Sequence, residues 1–299
     1  MYSTVVPDMA PFPPVDTFTD RTCLSGIVAH VGLHKTGTSA LQCYLKEGNA
    51  DYFVAHRTGY MDLVQAISSG KRVLISEENL SGHPFERDRG CYRKRFHESI
   101  QATHRVFRPE AYILGLREHS RFIESAYRQY LCEGGTLRFP EFIGDEGTRP
   151  VMTLEPNAWQ ERIESLQSLV GTERVFVYCQ EDLAEQFSRV MGALEEFLGT
   201  RFGFGEKLTV RNRGFGVRVA TVQRTCNRID TFLRRARMPL LRGRATKMFG
   251  ISSPQICRKW LGWIPQARDF FDTEARLRWR ERYTSDWQYA LSSRSYIQA

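Results

Sequence analysis

What this chain has little of narrows its class before any motif is weighed. Its seven cysteines are scattered without a C-x-x-C pair, so neither a disulfide framework nor a cysteine-held zinc organises it, and a reducing, cytoplasmic setting suits that usage. No apolar run approaches the roughly 20 residues of a membrane span. The first 25 residues carry Asp8, Asp16 and Asp20 among four prolines instead of a basic-then-apolar signal pattern, and they read as a flexible leader. Internal repeats and low-complexity tracts are missing, which sets solenoids and tandem arrays aside. Also missing is the lysine that an NTP-binding loop places directly after the second glycine of G-x-x-x-x-G; Thr38 stands there.

What is there begins with 299 residues, 41% of them hydrophobic, enough for one α/β core of substantial size. The stretch from Ile27 to Gln42 reads as an apolar strand, a small-residue loop and a helix start. Thr36, Gly37, Thr38 and Ser39 place backbone N–H groups and hydroxyls at that helix N-terminus, where unpaired amides and the helix dipole favour an anion. Lys35 adds a mobile positive charge, with His34 beside it.

Two further stretches add chemistry. Ala111 to Leu116 reads as a buried strand running into Arg117, and Phe122 to Tyr130 as the helix that follows, with Ser125 eight residues after the arginine. A guanidinium fork suits phosphate because it can bind two oxygens at once. Val73 to Leu80 reads as a strand leading into Glu77 and Glu78. A carboxylate in a partly dry cleft can take the proton of a hydroxyl nucleophile. Strand alternation would send the two glutamates to opposite faces, and Glu77 is the first candidate, Glu78 the second. His34, His83 and His119 are rival bases, although such histidines more often hold structure together.

The pattern H-x-G-x-x-K-T-G-T-[ST]-x-L-Q, carried by His30, Gly32, Lys35 to Ser39, Leu41 and Gln42, resembles the 5′-phosphosulfate loop of the PAPS-dependent sulfotransferases. Arg117, Ser125 and Tyr127 are similar to that family's R-x7-S-x-Y grip on a 3′-phosphate, and Val73 to Leu80 resembles a strand of its bacterial carbohydrate-type members. Arg174 to Leu183 and Phe197-Leu-Gly199 resemble its late scaffold. Arg211 and Arg213 stand where the family closes a basic loop over the nucleotide, without the expected serine. The resemblance implies metal-free, in-line transfer of the sulfuryl group of PAPS to a hydroxyl of a glycan, glycolipid or sugar-containing metabolite, leaving 3′,5′-ADP. In that scheme Glu77 takes the acceptor proton and Lys35 neutralises the bridging oxygen. The loop with Thr36, Thr38 and Ser39 holds the 5′-phosphate, while Arg117 and Ser125 fix the 3′-phosphate.

The expected order is strand 27–32, helix 38–47, strand 72–76, helix near 91–102, strand 111–116, helix 119–132, helix 155–169, strand 174–178 and helix 184–198. This alternation predicts a central parallel sheet flanked by helices, with ligands beyond the carboxyl ends of the strands. The α/β core is expected over 26–220, with a helical, basic extension over 221–299 packed on it. From residue 201 onward 21 Lys and Arg stand against 7 Asp and Glu. Arg224, Arg228, Arg234, Arg235, Arg237, Arg242 and Arg244, interleaved with Phe232, Leu233, Met238, Leu240 and Leu241, suit either a helix on the core or a peripheral membrane contact. Trp260, Trp263, Phe270, Phe271, Trp279 and Trp287 are expected in the core rather than as a sugar platform. Nucleic acid is not an expected partner, and oligomeric state stays open. The alternatives are a P-loop-type nucleotide kinase and a non-catalytic anion- or lipid-binding module built on the basic extension.

Overall fold

The computed structural model describes residues 26–33, 36–47, 51–56, 60–82, 92–144, 150–201, 215–236 and 269–297. Five strands form one parallel sheet: β1 Ile27–Gly32, β2 Tyr52–Ala55, β3 Arg72–Ser76, β4 Ala111–Leu116 and β5 Val175–Cys179, in the order β2-β3-β1-β4-β5. Helices cover both faces, so the strands are near-continuous apolar runs and β4 is buried at every position. From β1 the chain winds outward to β2 and back through β3, then crosses β1 to build β4 and β5. The winding reverses between β1 and β4, where open α/β sheets leave a crevice.

Among the described residues the helices are α1 Thr38–Glu47, α2 Tyr60–Ser68, α3 Tyr92–Phe107, α4 His119–Cys132, α5 Phe139–Ile143, α6 Ala158–Val170, α7 Gln180–Glu185, α8 Phe187–Leu198, α9 Val217–Arg235, α10 Thr273–Arg282 and α11 Thr284–Ser292. Two-residue alternation sorts the strand side chains into two cores. Ala29, Val31, Tyr112, Leu114 and Val177 meet Phe96, Phe122, Trp159 and Ile163 of α3, α4 and α6. Val28, Leu74, Ile113, Phe176 and Tyr178 face Leu41 and Leu45 of α1 and Val190, Met191 and Leu194 of α8.

Three elements ahead of β5 were not expected: β2 and α2, both inside the long gap before the strand at 72–76, and the short α5. The single helix expected over 184–198 is two, α7 and α8, parted at Gln186, whose ψ of 42° is not helical.

Three buried carboxylates tie the C-terminal segment to the sheet domain. Glu124 accepts from the amide of Phe270 at 2.8 Å and from Arg276 Nη2 at 2.7 Å. Asp286 accepts from the amides of Trp159 and Gln160 at 2.9 and 2.8 Å. Asp182 takes the hydroxyl of Tyr296 at 2.6 Å and pairs with Arg294. Ser295 then exchanges bonds with Val177, its amide donating to Val177 O and its Oγ accepting from Val177 N. That pairing covers the outer edge of β5, a place where an open strand would invite aggregation. Phe270, Phe271, Trp279 and Trp287 pack on the main core; Trp260 and Trp263 lie outside the described residues.

Candidate functional site

Strand register sets the shape of the crevice. Gly32 and Gly115 are partners across β1 and β4, where the winding reverses, and neither position has room for a side chain. A Cβ on Gly32 would lie 2.0 Å from Thr38 Oγ1; one on Gly115 would lie 2.5 Å from the Tyr178 hydroxyl and 2.9 Å from Thr36 Oγ1. The loop therefore sinks onto the strand ends, with Thr36 and Thr38 buried. Thr36 Oγ1 donates to Leu33 O at 2.7 Å, so this hydroxyl helps to shape the loop. Gly37 has φ of +86°, a left-handed conformation that costs glycine little. Its carbonyl accepts the first helical bond from Leu41 N. The amides of the next three residues thus precede α1's own ladder, and no acidic residue stands in the first turn.

Beneath the loop a polar row crosses the sheet. Ser76 Oγ of β3 meets His30 Nδ1 of β1 at 2.7 Å, and His30 Nε2 meets the hydroxyl of Tyr178 at 3.1 Å. Tyr178 belongs to β5 and reaches over β4 because Gly115 has no side chain in the way. All three are buried. Gln42 of α1 donates to Ser76 O at 3.0 Å, pinning the cradle helix to the end of β3.

Arg117 follows β4 directly, and its carbonyl accepts from Trp159 Nε1 at 3.0 Å. Glu118 caps α4 by accepting from the amides of Ser120 and Arg121. Burial pulls the Arg117 guanidinium below its usual range, with Glu181 opposing that trend. Glu181, just past β5, has the complementary problem: burial raises its carboxyl above the ordinary range while Arg117 and Arg121 pull it down. Its Oε1 accepts from the amide of Glu118 at 3.4 Å and lies 3.9 Å from Arg121 Nη1. Ser125 is buried in the second turn of α4.

Glu77 lies one residue beyond β3, and Glu78 opens a 3-10 turn running to Ser81. The alternation expected to separate the two carboxylates does not apply, because the strand ends at Ser76. Glu77 is partly exposed and its Oε1 lies 3.6 Å from His56 Nδ1. His119 is removed as a candidate base: it is buried, 2.8 Å from Asp286 Oδ2, and stacked between Trp159 and Tyr283 at 4.8 and 4.5 Å. His34, Lys35, His83, Arg211 and Arg213 lie outside the described residues, as do the side chains of Ser39 and Glu78. Sequence reasoning missed His56, Glu181 and Tyr178 as parts of this region.

The neighbouring ends of β3, β1 and β4 thus present Glu77, the amide cradle and Arg117 in that order. Among the described residues no group of three His, Cys, Asp or Glu is placed to hold a metal, and no helix is long and apolar enough to cross a membrane.

No family model and no curated protein matches the chain. Among solved structures, a sulfotransferase from Alicyclobacillus acidocaldarius is similar at 17% identity over 72% of this chain and 95% of that one, with a TM-score of 0.41.

Proposed function

We propose that this chain is a sulfotransferase that moves the sulfuryl group of PAPS to a hydroxyl of a glycan, glycolipid or sugar-containing metabolite. The observation that carries the reading is the row of three strand ends, which brings a carboxylate, an acid-free helix start and a half-buried arginine to one edge of the sheet. PAPS carries two separate anionic groups, and each has a counterpart. The amides at the start of α1 suit the 5′-phosphosulfate, and Arg117 with Ser125 suits the 3′-phosphate. Gly32 supports the fit, since only a residue without Cβ lets Thr38 and the following amides sit directly on β1. In this reading Arg211 and Arg213 contribute positive charge to the nucleotide.

Bound PAPS supplies an activated sulfuryl group whose leaving group is 3′,5′-ADP. Glu77 accepts the proton of the acceptor hydroxyl, and Lys35 balances charge on the bridging oxygen. The α1 amides hold the donor in line without having to reorganise during the reaction. The basic, partly apolar face of α9, with Val222, Ile229 and Phe232 exposed beside Arg218, Arg228 and Arg235, suits peripheral contact with an anionic membrane carrying a glycolipid acceptor. A cytoplasmic location belongs to the same reading.

Thermal stabilisation by 3′,5′-ADP, compared with 5′-ADP and 5′-AMP, is the direct test. At one hundred times Kd the ligand adds about 2.7 kcal/mol, and the gain is confined to the 3′-phosphorylated nucleotide and reduced in Arg117→Ala. An equal response to all three nucleotides overturns the reading. In turnover assays Lys35→Ala loses on the order of 10²-fold to 10³-fold, the cost of removing one preorganised donor.

A further inference from the structure

β2 and β3 run in parallel register, Ala55 opposite Ile75, so the next residues along, His56 just past β2 and Ser76 at the end of β3, stand side by side. His56 Nδ1 lies 3.0 Å from Ser76 O. A carbonyl only accepts, so Nδ1 carries the hydrogen. The same nitrogen is 3.6 Å from Glu77 Oε1. That is too long for a good hydrogen bond yet close enough for the N–H dipole to act on the carboxylate.

The peptide ahead of Glu77 is held unusually well. Ser76 O accepts from His56 and also from Gln42 Nε2 of the cradle helix, while Ser76 Oγ meets the buried His30. One peptide therefore couples the anion cradle, the floor of the crevice and the carboxylate. The side chains of His56 and Glu77 are 23% and 30% exposed, open to a substrate, whereas His30 and His119 are sealed in the interior.

We propose that His56 is the positioning residue for Glu77, holding its carboxylate toward the acceptor; this rests on the sulfotransferase reading. In the step it serves, the acceptor O–H bond breaks and its proton passes to Glu77. The freed oxygen pair forms the new bond to sulfur as the bond from sulfur to the 5′-phosphate oxygen breaks and that pair leaves with 3′,5′-ADP. His56 transfers nothing; it fixes where the proton is received.

The test uses the full chain with His56→Ala, His56→Asn and Glu77→Gln. Two readouts are needed: thermal stabilisation by 3′,5′-ADP, and release of 3′,5′-ADP from PAPS with water and a panel of methyl glycosides as acceptors. All three variants keep the nucleotide-dependent stabilisation. Glu77→Gln loses roughly 10²-fold to 10⁴-fold in turnover, the usual worth of a general base. His56→Ala loses about 10-fold to 100-fold in kcat, typical of a group that orients a reacting side chain. Asn keeps an N–H where Nδ1 stood, so His56→Asn recovers most of that loss with KM unchanged. Wild-type turnover in His56→Ala, or no recovery in His56→Asn, overturns the inference while leaving the donor site standing. A wild type that 3′,5′-ADP does not stabilise overturns the sulfotransferase reading, and this inference falls with it.

Discussion

Two helix starts in this chain face the same electrostatic problem and solve it in opposite ways. At α6 the amides of Trp159 and Gln160 point at the buried carboxylate of Asp286, which also meets His119 Nε2 at 2.8 Å. At α1 the first turn holds no acidic residue, and Gly37 and the Gly32–Gly115 pair bring its amides down onto the strand ends. The dipole is the same in both. Where the protein supplies its own anion, the helix start becomes a weld between the core and the C-terminal segment. Where the first turn holds none, the helix start is the place at which the proposed function seats the 5′-phosphosulfate.

The largest expected effect comes from emptying the filled start. Asp286→Ala leaves two amides and an imidazole N–H buried without their acceptor, which costs about 3–5 kcal/mol. Denaturant unfolding measures it, and the folded fraction keeps its response to 3′,5′-ADP. Loss of that response in step with stability would show that the two starts are not independent, and the comparison would break. Next comes the opposite change, filling the open start. Gly32→Ala drives a methyl into Thr38, an overpacking cost of about 1–3 kcal/mol. Here the nucleotide response disappears even where the fold survives. A Gly32→Ala protein still stabilised by 3′,5′-ADP would move the anion site away from α1.

How much of this was legible from the chain divides along the same line. The bounds of β1, α1, β4 and α4 agree with those read from the residues, because their signals are local: apolar runs of strand length and a small-residue loop before a helix start. That Glu77, the cradle and Arg117 share one edge follows from parallel strands alone, whereas their order along it depends on the strand order. β2 escaped because four residues show no period, and its partner β3 lies far along the chain. With β2 unseen, His56 was one more isolated histidine. His119 was visible as a residue but not in its role, since its partner Asp286 is 167 positions away. The net charge of the basic C-terminal third does not reveal that Arg276 and Arg294 are spent on Glu124, Asp269 and Asp182. Counting charges cannot show which of them already have partners.

The smallest effect sharpens the comparison through pH. Burial holds His119, at the filled start, below its ordinary value of 6.5 in spite of Asp286. The unfolded chain therefore takes up the proton first as pH falls, and the stability this residue contributes above about 6.5 is lost below it. Burial holds Glu181, beside Arg117, above its ordinary value of 4.5. Its contribution has the reverse sign, present below about 4.5 and lost as pH rises through the raised value. Melting temperature should therefore fall less steeply in His119→Gln than in wild type as pH drops below about 6.5. In Glu181→Gln the gain over wild type should grow as pH rises from 4.5. A 3′-phosphate brought to Arg117 adds negative charge next to Glu181 and makes its ionised form costlier still. Binding of 3′,5′-ADP then takes up a proton and weakens as pH rises, whereas 5′-AMP shows no such slope. Calorimetric titration in buffers of different ionisation enthalpy reads that proton directly. In Glu181→Gln the uptake disappears and affinity at neutral pH improves. The same proton uptake in wild type and Glu181→Gln would mean that the 3′-phosphate does not sit against Arg117, and that this arginine, like the amides of α6, already has its anion within the protein.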